Sequence, residues 1–307
     1  MPGDILFDTV ERYHEGKEWG RLLDAGTGVN SVKWMMGLES CTEWVAITAD
    51  ERMKKMVADN KDVKLRDVDQ LVVGNWMDEA FCATLGTFDT IVADYLIGAV
   101  DGFSPFKQDL VIKKLKEHLR PGGRLYLIGM YPIPDHAVGA AQIVCEVRRA
   151  RDACILMGGH RCYREYPSEW IIRFMEREGL KVFKSKAFTI MHTENSVTRQ
   201  INVARTKLSL MTSDALRDGM ADYLDELQDR TKEIMAEQPK NNIPLSHDYV
   251  IAAELAIEGE FKGEGGNVME GVVDGEVEGK FEVEGGLLHE IDEAIQDSVF
   301  NMQETSP

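Results

Sequence analysis

The chain of 307 residues has no apolar run near the ~20 residues that a membrane-spanning helix requires. It has only five cysteines, at positions 41, 82, 145, 154 and 162, and no CxxC pair. An odd, scattered set supports neither a disulfide framework nor a zinc site, so reduced thiols and no metal are expected. Basic residues are scarce: 35 Lys and Arg stand against 53 Asp and Glu, a formal charge of −18. That deficit argues against a nucleic-acid or anionic-membrane surface, because both need clustered cations. The segment from Met1 to Trp19 holds acids and no apolar core of the signal-peptide kind, so a cytoplasmic location is expected.

Apolar residues make up 44% of the chain, enough for a full hydrophobic core at this length. The acid is unevenly placed. Residues 257–307 hold 14 acids and only two bases, Lys262 and Lys280, a net −12 that leaves −6 for the other 256 residues. This Gly/Glu-rich tail loosely repeats itself, EGEFKGEGG returning as EGKFEVEGG. Two copies are too few for a solenoid, and glycine with like charge disfavours a packed core. The division expected is a folded body, 1–256, and an acidic appendage, 257–307.

The body alternates apolar runs with helical patterns, which predicts a mostly parallel sheet flanked by helices. Seven strands are expected, at 21–25, 45–48, 70–73, 88–93, 124–129, 181–190 and 249–255. Ser104 with Pro105 predicts a helix start, and Phe106, Leu110, Ile112, Leu115 and Leu119 form its apolar stripe. Further helices are expected over 140–156 and 168–178, with Gly179 as a C-terminal cap. Residues 195–238 read as two helices inserted between the last two strands. Leu216, Met220, Tyr223, Leu224, Leu227, Ile234 and Met235 supply the apolar positions of the second. Such an insertion forms a lid over a crevice if it lies at the carboxyl ends of the strands.

The chemistry gathers at strand ends. The first strand runs into Asp24-Ala25-Gly26-Thr27-Gly28, a turn that brings a ligand close to backbone. Ser31 stands where a dinucleotide loop needs its third glycine, and Asp24 would repel a pyrophosphate. The loop therefore suits a ligand without phosphates, preferably cationic. Asp50 closes the second strand, where a carboxylate can accept from both ribose hydroxyls. Gly74-Asn75-Trp76 ends the third; an amide can read an adenine edge and an indole can cover its face. Asp94-Tyr95 ends the fourth, where a carboxylate can hold an ammonium.

In order and spacing, DAGTG, Asp50, GNW, ADY, LRPGGRLYLIG and DYVIAAEL resemble the class I S-adenosylmethionine-dependent methyltransferases, over roughly Leu22 to Leu255. The resemblance implies a Rossmann-like seven-stranded α/β fold with a late antiparallel strand. It implies S-adenosylmethionine as cofactor and S-adenosylhomocysteine as product. Gly26 and Gly28 would pass beneath the methionine part, Asp24 and Asp94 would lie near its ammonium, Asp50 would hold the ribose, and Asn75 with Trp76 would hold the adenine. One departure is Asn75, where the family commonly has Asp; its amide oxygen can still accept from the adenine amino group.

Acceptor contacts are expected after the fourth and fifth strands: Tyr95 near the methyl, Tyr131 in a Pro-stiffened loop, and the segment from Gly158 to Tyr166. That segment packs His160, Arg161, Tyr163, Arg164 and Tyr166 together, a basic and aromatic cluster suited to an anionic or carboxylate-bearing small molecule. His160 is the general-base candidate by type. Arg148 and Asp152 are spaced to pair with each other. The reading reached is a soluble small-molecule methyltransferase. A protein methyltransferase, a non-catalytic interaction scaffold and a nicotinamide enzyme are the alternatives. With the acid concentrated beyond the folded body, truncation after Leu255 is expected to leave cofactor affinity, measured by calorimetry, unchanged. Lost binding would place part of the tail in the domain.

Overall fold

The protein is described by a computed structural model covering residues 4–257; the tail expected beyond them lies outside the described residues. The element order is α1 (Ile5–His14), β1 (Gly20–Asp24), α2 (Val29–Met35), β2 (Cys41–Thr48), α3 (Glu51–Ala58), β3 (Gln70–Val73), α4 (Glu79–Cys82), β4 (Phe88–Asp94), α5 (Leu96–Phe103), α6 (Gln108–Glu117), β5 (Leu119–Met130), α7 (Gln142–Met157), α8 (Ser168–Arg177), β6 (Leu180–Thr193), α9 (Glu194–Leu208), α10 (Asp214–Ala236) and β7 (Asn242–Leu255). All seven expected strands are present in one sheet of order β3-β2-β1-β4-β5-β7-β6. β1 to β5 run parallel, and β7 is antiparallel to both its neighbours, β5 and β6.

Successive strand residues face opposite sides, so the sheet builds two cores. Leu23, Val45, Ile91, Leu125 and Ile251 face one side, with Val111, Ile112 and Leu115 of α6 and Ile171 and Met175 of α8. Leu22, Trp44, Val92, Tyr126 and Val250 face the other, with Phe7 and Val10 of α1, Val32 of α2 and Met53 of α3. A third cluster joins α7, α9 and α10 through Val147, Ile201, Leu224 and Leu227.

The helix start expected at Ser104 is corrected. Ser104 ends α5, its N–H donating to Val100 O at 2.7 Å. A residue before proline is pushed to extended backbone, so Pro105 breaks the chain here, and Ser104 sits at φ −145°. Asp101 organises the turn instead, accepting from Phe106 N–H at 3.2 Å and Gln108 Nε2 at 3.0 Å. Phe106 is left-handed and 81% exposed, and Leu110 is also exposed, so neither belongs to the stripe. In α10, Leu224, Leu227 and Met235 are buried, while Leu216 and Tyr223 are exposed.

β6 and β7 outrun the rest of the sheet. The β5–β7 ladder ends at Met130 and Asp248, whereas β6 and β7 stay paired as far as Thr193 and Asn242. The excess is a two-stranded ribbon beyond the carboxyl end of β5, and α9 and α10 hang from its tip. The insertion therefore stands at the carboxyl edge of the sheet, where its third core seats it on α7. Leu227 is fully buried there. Leu227→Ala is expected to cost about 2–5 kcal/mol, the usual cost of a buried leucine truncation, read by denaturant unfolding.

Candidate functional site

The loops after the first four strands are laced together by backbone. Ala25 N–H donates to Val92 O (2.8 Å), Thr27 N–H to Ile47 O (2.7 Å) and Gly74 N–H to Thr48 O (2.9 Å). Trp76 adds a side-chain tie, its Nε1 donating to Ala25 O at 2.8 Å. The loops and α5 enclose a first cleft lined by Gly26, Thr27, Thr48, Asn75, Trp76 and Asp94 among others. A Cβ on Gly26 would stand 3.1 Å from Leu96 Cδ1, so packing against α5 favours glycine there. At Gly28 a Cβ would meet nothing within 4 Å, so its bareness leaves open space above the loop.

Asp24 lies buried beneath this loop. Its Oδ1 accepts from Gly26 N–H at 3.4 Å, and its Oδ2 has no hydrogen-bond partner. Burial raises its pKa above the ordinary range, against hydrogen bonds from Ser31, Thr27 and Gly26 that lower it. Asp94 is raised well above its usual value by burial first, then by Asp24, Asp4 and Asp248. Asp50 caps α3, its Oδ1 accepting from Arg52 N–H at 3.0 Å. Its Oδ2 is likewise buried without a partner. Buried carboxylate oxygens without a hydrogen-bond partner are a costly arrangement, and the two here belong to residues the sequence reading assigns to one ligand.

Asn75 lines the cleft but not in the mode expected. Its Oδ1 already accepts from Met77 N–H (2.9 Å) and Ser104 Oγ (3.1 Å). Both lone pairs are used, so only the Nδ2 donors remain for a ligand.

A second cavity of about 360 Å³ opens beside the first, with α9 of the insertion along one wall. Asp94 lines the first and Tyr95 the second, and Tyr163 lines both, so these residues mark the junction. Tyr95 adopts φ 47°, a left-handed conformation rare for a bulky residue, and its hydroxyl donates to Asp248 Oδ1 at 2.8 Å. Burial first, then Asp248 and Asp94, raise its phenol pKa well above normal and keep it protonated. Arg161 and Arg164 also line this cavity. Arg161 pairs with buried Asp101 at 3.0 Å. Glu165 packs so tightly on α5 that a Cβ at Gly98 would fall 2.0 Å from its Oε1.

Three expected acceptor residues line neither cavity. Tyr131 turns to the sheet side, where its hydroxyl bonds Ser168 and donates to Glu169 Oε1 at 2.9 Å. Tyr166 stacks on Trp170 with ring centroids 4.2 Å apart. His160 is buried, its pKa lowered by burial and then by the Lys207 ammonium. Tyr131 and His160 meet neighbours distant in sequence, whereas Tyr166 is held by Trp170 four residues on. Conversely, Arg148, Arg151, Arg199, Lys207, His192 and Asp248 reach the second cavity without having been expected there. Arg148 pairs with Asp152, as its spacing implies, at 3.6 Å.

No family model matches the chain, and no curated protein matches it in sequence. Solved structures do. A candidate methyltransferase from Bacillus halodurans C-125 aligns over 83% of this chain and 100% of its own, at 14% identity and a TM-score of 0.51. The fold is that of the class I methyltransferases. The YcgJ protein from Bacillus subtilis aligns over 82% of this chain and 98% of its own, at 17% identity and a TM-score of 0.48. A candidate sarcosine dimethylglycine methyltransferase from Galdieria sulphuraria aligns over 82% and 84%, at 12% identity and a TM-score of 0.46. Among the described residues of this methyltransferase-fold chain, no helix is long and apolar enough to cross a membrane.

The raised pKa of Asp24 carries a signed consequence. Its contribution to stability is present at low pH and is lost as pH rises through the folded-state value. Asp24→Asn is therefore expected to stabilise the ligand-free protein at pH 8, by about 1 kcal/mol as is common when a functional strain is relieved. It should do so much less at pH 5. Thermal unfolding at the two pH values checks this.

Proposed function

We propose that the chain is an S-adenosylmethionine-dependent methyltransferase acting on an anionic or carboxylate-bearing small molecule. The observation that carries the reading is the pair of orphan carboxylate oxygens, Asp24 Oδ2 and Asp50 Oδ2, on residues next in sequence to Ala25 and Ala49, which line the first cleft. Buried unpaired acceptors call for donors from a ligand. A ribose diol answers at Asp50, and a cationic ligand suits Asp24 with Asp94.

When bound, S-adenosylmethionine supplies a methyl group made electrophilic by its sulfonium. The chain's own contribution is binding and alignment. Asp50 accepts from the ribose hydroxyls, and buried Asp24 and half-buried Asp94 gain a counter-charge. The Gly26–Gly28 turn presents backbone, Trp76 walls the adenine end, and Asn75 donates through Nδ2 to a ring nitrogen. Ser31 in place of a third glycine and the negative Asp24 disfavour a nicotinamide dinucleotide.

The acceptor occupies the second cavity, with Tyr95 and Tyr163 at its cofactor end and Arg161 and Arg164 on its rim. Tyr131, Tyr166 and His160 drop out of the site. Residues 1–256 act as the methyltransferase domain, and the 195–238 insertion roofs the cavity as a lid. That roof favours a small molecule over a folded protein surface. Much of the rate in such a displacement can come from aligning nucleophile, methyl and sulfur in a dry site.

Calorimetry with S-adenosylmethionine and with NAD tests this, with binding expected for the first alone. Asp50→Ser keeps an N-cap acceptor for α3 but loses the charged contact to the diol. It should weaken S-adenosylmethionine about tenfold to a hundredfold, the worth of one charge-assisted hydrogen bond. Unchanged affinity would remove Asp50 from the site.

A further inference from the structure

The second cavity has two walls of opposite character. The strand ends supply Tyr95 and Asp248, backed by Asp94 at the same strand end as Tyr95. The helical wall, from α7 and α9, supplies Arg148, Arg151, Arg199 and Lys207. Asp152 serves two of these guanidiniums at once, Arg148 at 3.6 Å and Arg151 at 2.8 Å. Lys207 is only 4% exposed. Apolar Ile133, Val144 and Val197 also line the space. An anion at the Tyr95 end would face Asp248 and Asp94, whereas the helical wall presents four cations, two of which, Arg148 and Arg151, share Asp152.

Resting on the S-adenosylmethionine reading above, we propose that the acceptor is a zwitterion, an amino acid in the broad sense. Its anionic group lies on the α7–α9 wall, its amine nitrogen meets Tyr95, and Tyr95 and Asp248 relay the amine proton. The acceptor arrives as an ammonium. Its N–H proton passes to Tyr95 Oη while the Tyr95 hydroxyl proton passes to Asp248 Oδ1, leaving a neutral amine and a protonated Asp248. The nitrogen lone pair then forms the N–C bond as the sulfonium C–S bond breaks, and that electron pair stays on sulfur. The product leaves as a methylated ammonium, and Asp248 returns its proton to water.

Tyr95 is the catalytic residue, and Asp248 acts through it as the base. The charged groups around this pair are Asp94 beyond Tyr95, Asp4 at the start of α1, and Glu165, Arg161 and Arg164 in the loop before α8. His192 on β6, Arg148 and Arg151 on α7, and Arg199 and Lys207 on α9 complete them. The carboxylates Asp94 and Asp4 favour a proton on Tyr95, and the cations draw the acceptor's anion elsewhere.

The test uses the full chain with methyl-labelled S-adenosylmethionine and a panel of α- and ω-amino acids. Each is accompanied by its decarboxylated amine and its deaminated acid. Label is expected in one or more amino acids, at least 100-fold less in the matching amine, and none in the matching acid. With that acceptor, Asp248→Asn should lower kcat/KM more than tenfold at pH 7. The variant should recover towards wild type near pH 10, where the free amine forms unaided. A loss that is equal at both pH values would give Asp248 a structural role and overturn the relay. Label in a deaminated acid, equal label in a bare amine, or no label in any amino acid would overturn the zwitterion. If S-adenosylmethionine still binds calorimetrically in those cases, the failure is confined to this inference. Absent cofactor heat would instead sink the reading on which it rests.

Discussion

The site depends on the cost of keeping carboxylates dry. Asp24 and Asp94 end neighbouring strands β1 and β4, and burial pushes both towards protonation. An ionised carboxylate taken from water without a partner costs several kcal/mol. A fold can hold such groups only if the rest of it is well packed, and here the central strands are. Leu22, Leu23, Ile91 and Val92 are fully buried between helices on both faces. The stored electrostatic strain is what a cationic ligand would release, so affinity in the cleft and instability of the empty protein have one source.

The same sheet then decides where the second cavity stands. In a parallel sheet every β–α connection opens at one edge, which gathers the ends of β1 to β4 around the first cleft. β7 alone enters that edge from the opposite direction, so its early residue Asp248 arrives beside Tyr95 rather than at the far side. The hydroxyl of Tyr95 bridges strands that are distant in sequence, and its left-handed backbone aims the ring away from the cleft that Asp94 faces.

Much of this was legible beforehand, because strand ends announce themselves. DAGTG, TADE, GNWM and ADYL each join an apolar run to a polar stop, and seven strands emerged where apolar runs were expected. Asp24 and Asp94 stand at strand ends and Asp50 caps α3, positions that the chain pattern alone marks out. The acceptor residues were not readable in that way. Tyr131 was captured by Ser168 and Glu169, contacts that adjacent sequence does not encode, while Tyr166 was taken by a stack on Trp170 four residues on. Arg199 and Lys207 sit on α9, and they reach the cavity only through the direction in which the ribbon carries that helix. Asn75 shows the same limit on a smaller scale, since Met77 and Ser104 claim the oxygen that composition offers to a ligand. Pro105 was read as a first helical residue, yet its effect on the residue before it broke the chain into two helices.

The ribbon of β6 and β7 has one more consequence. Thr193 and Asn242 are direct cross-strand partners, so the chain leaves for α9 and returns from α10 through adjacent points. Everything between them is a cassette with a single doorway. Evolution can exchange it, lengthen it or replace it with a tight turn while the hairpin beneath stays paired. The loops that hold the first cleft belong to other strands and would not register the swap. The architecture thus separates the strand ends around the first cleft from a helical insertion joined at a single point of the hairpin.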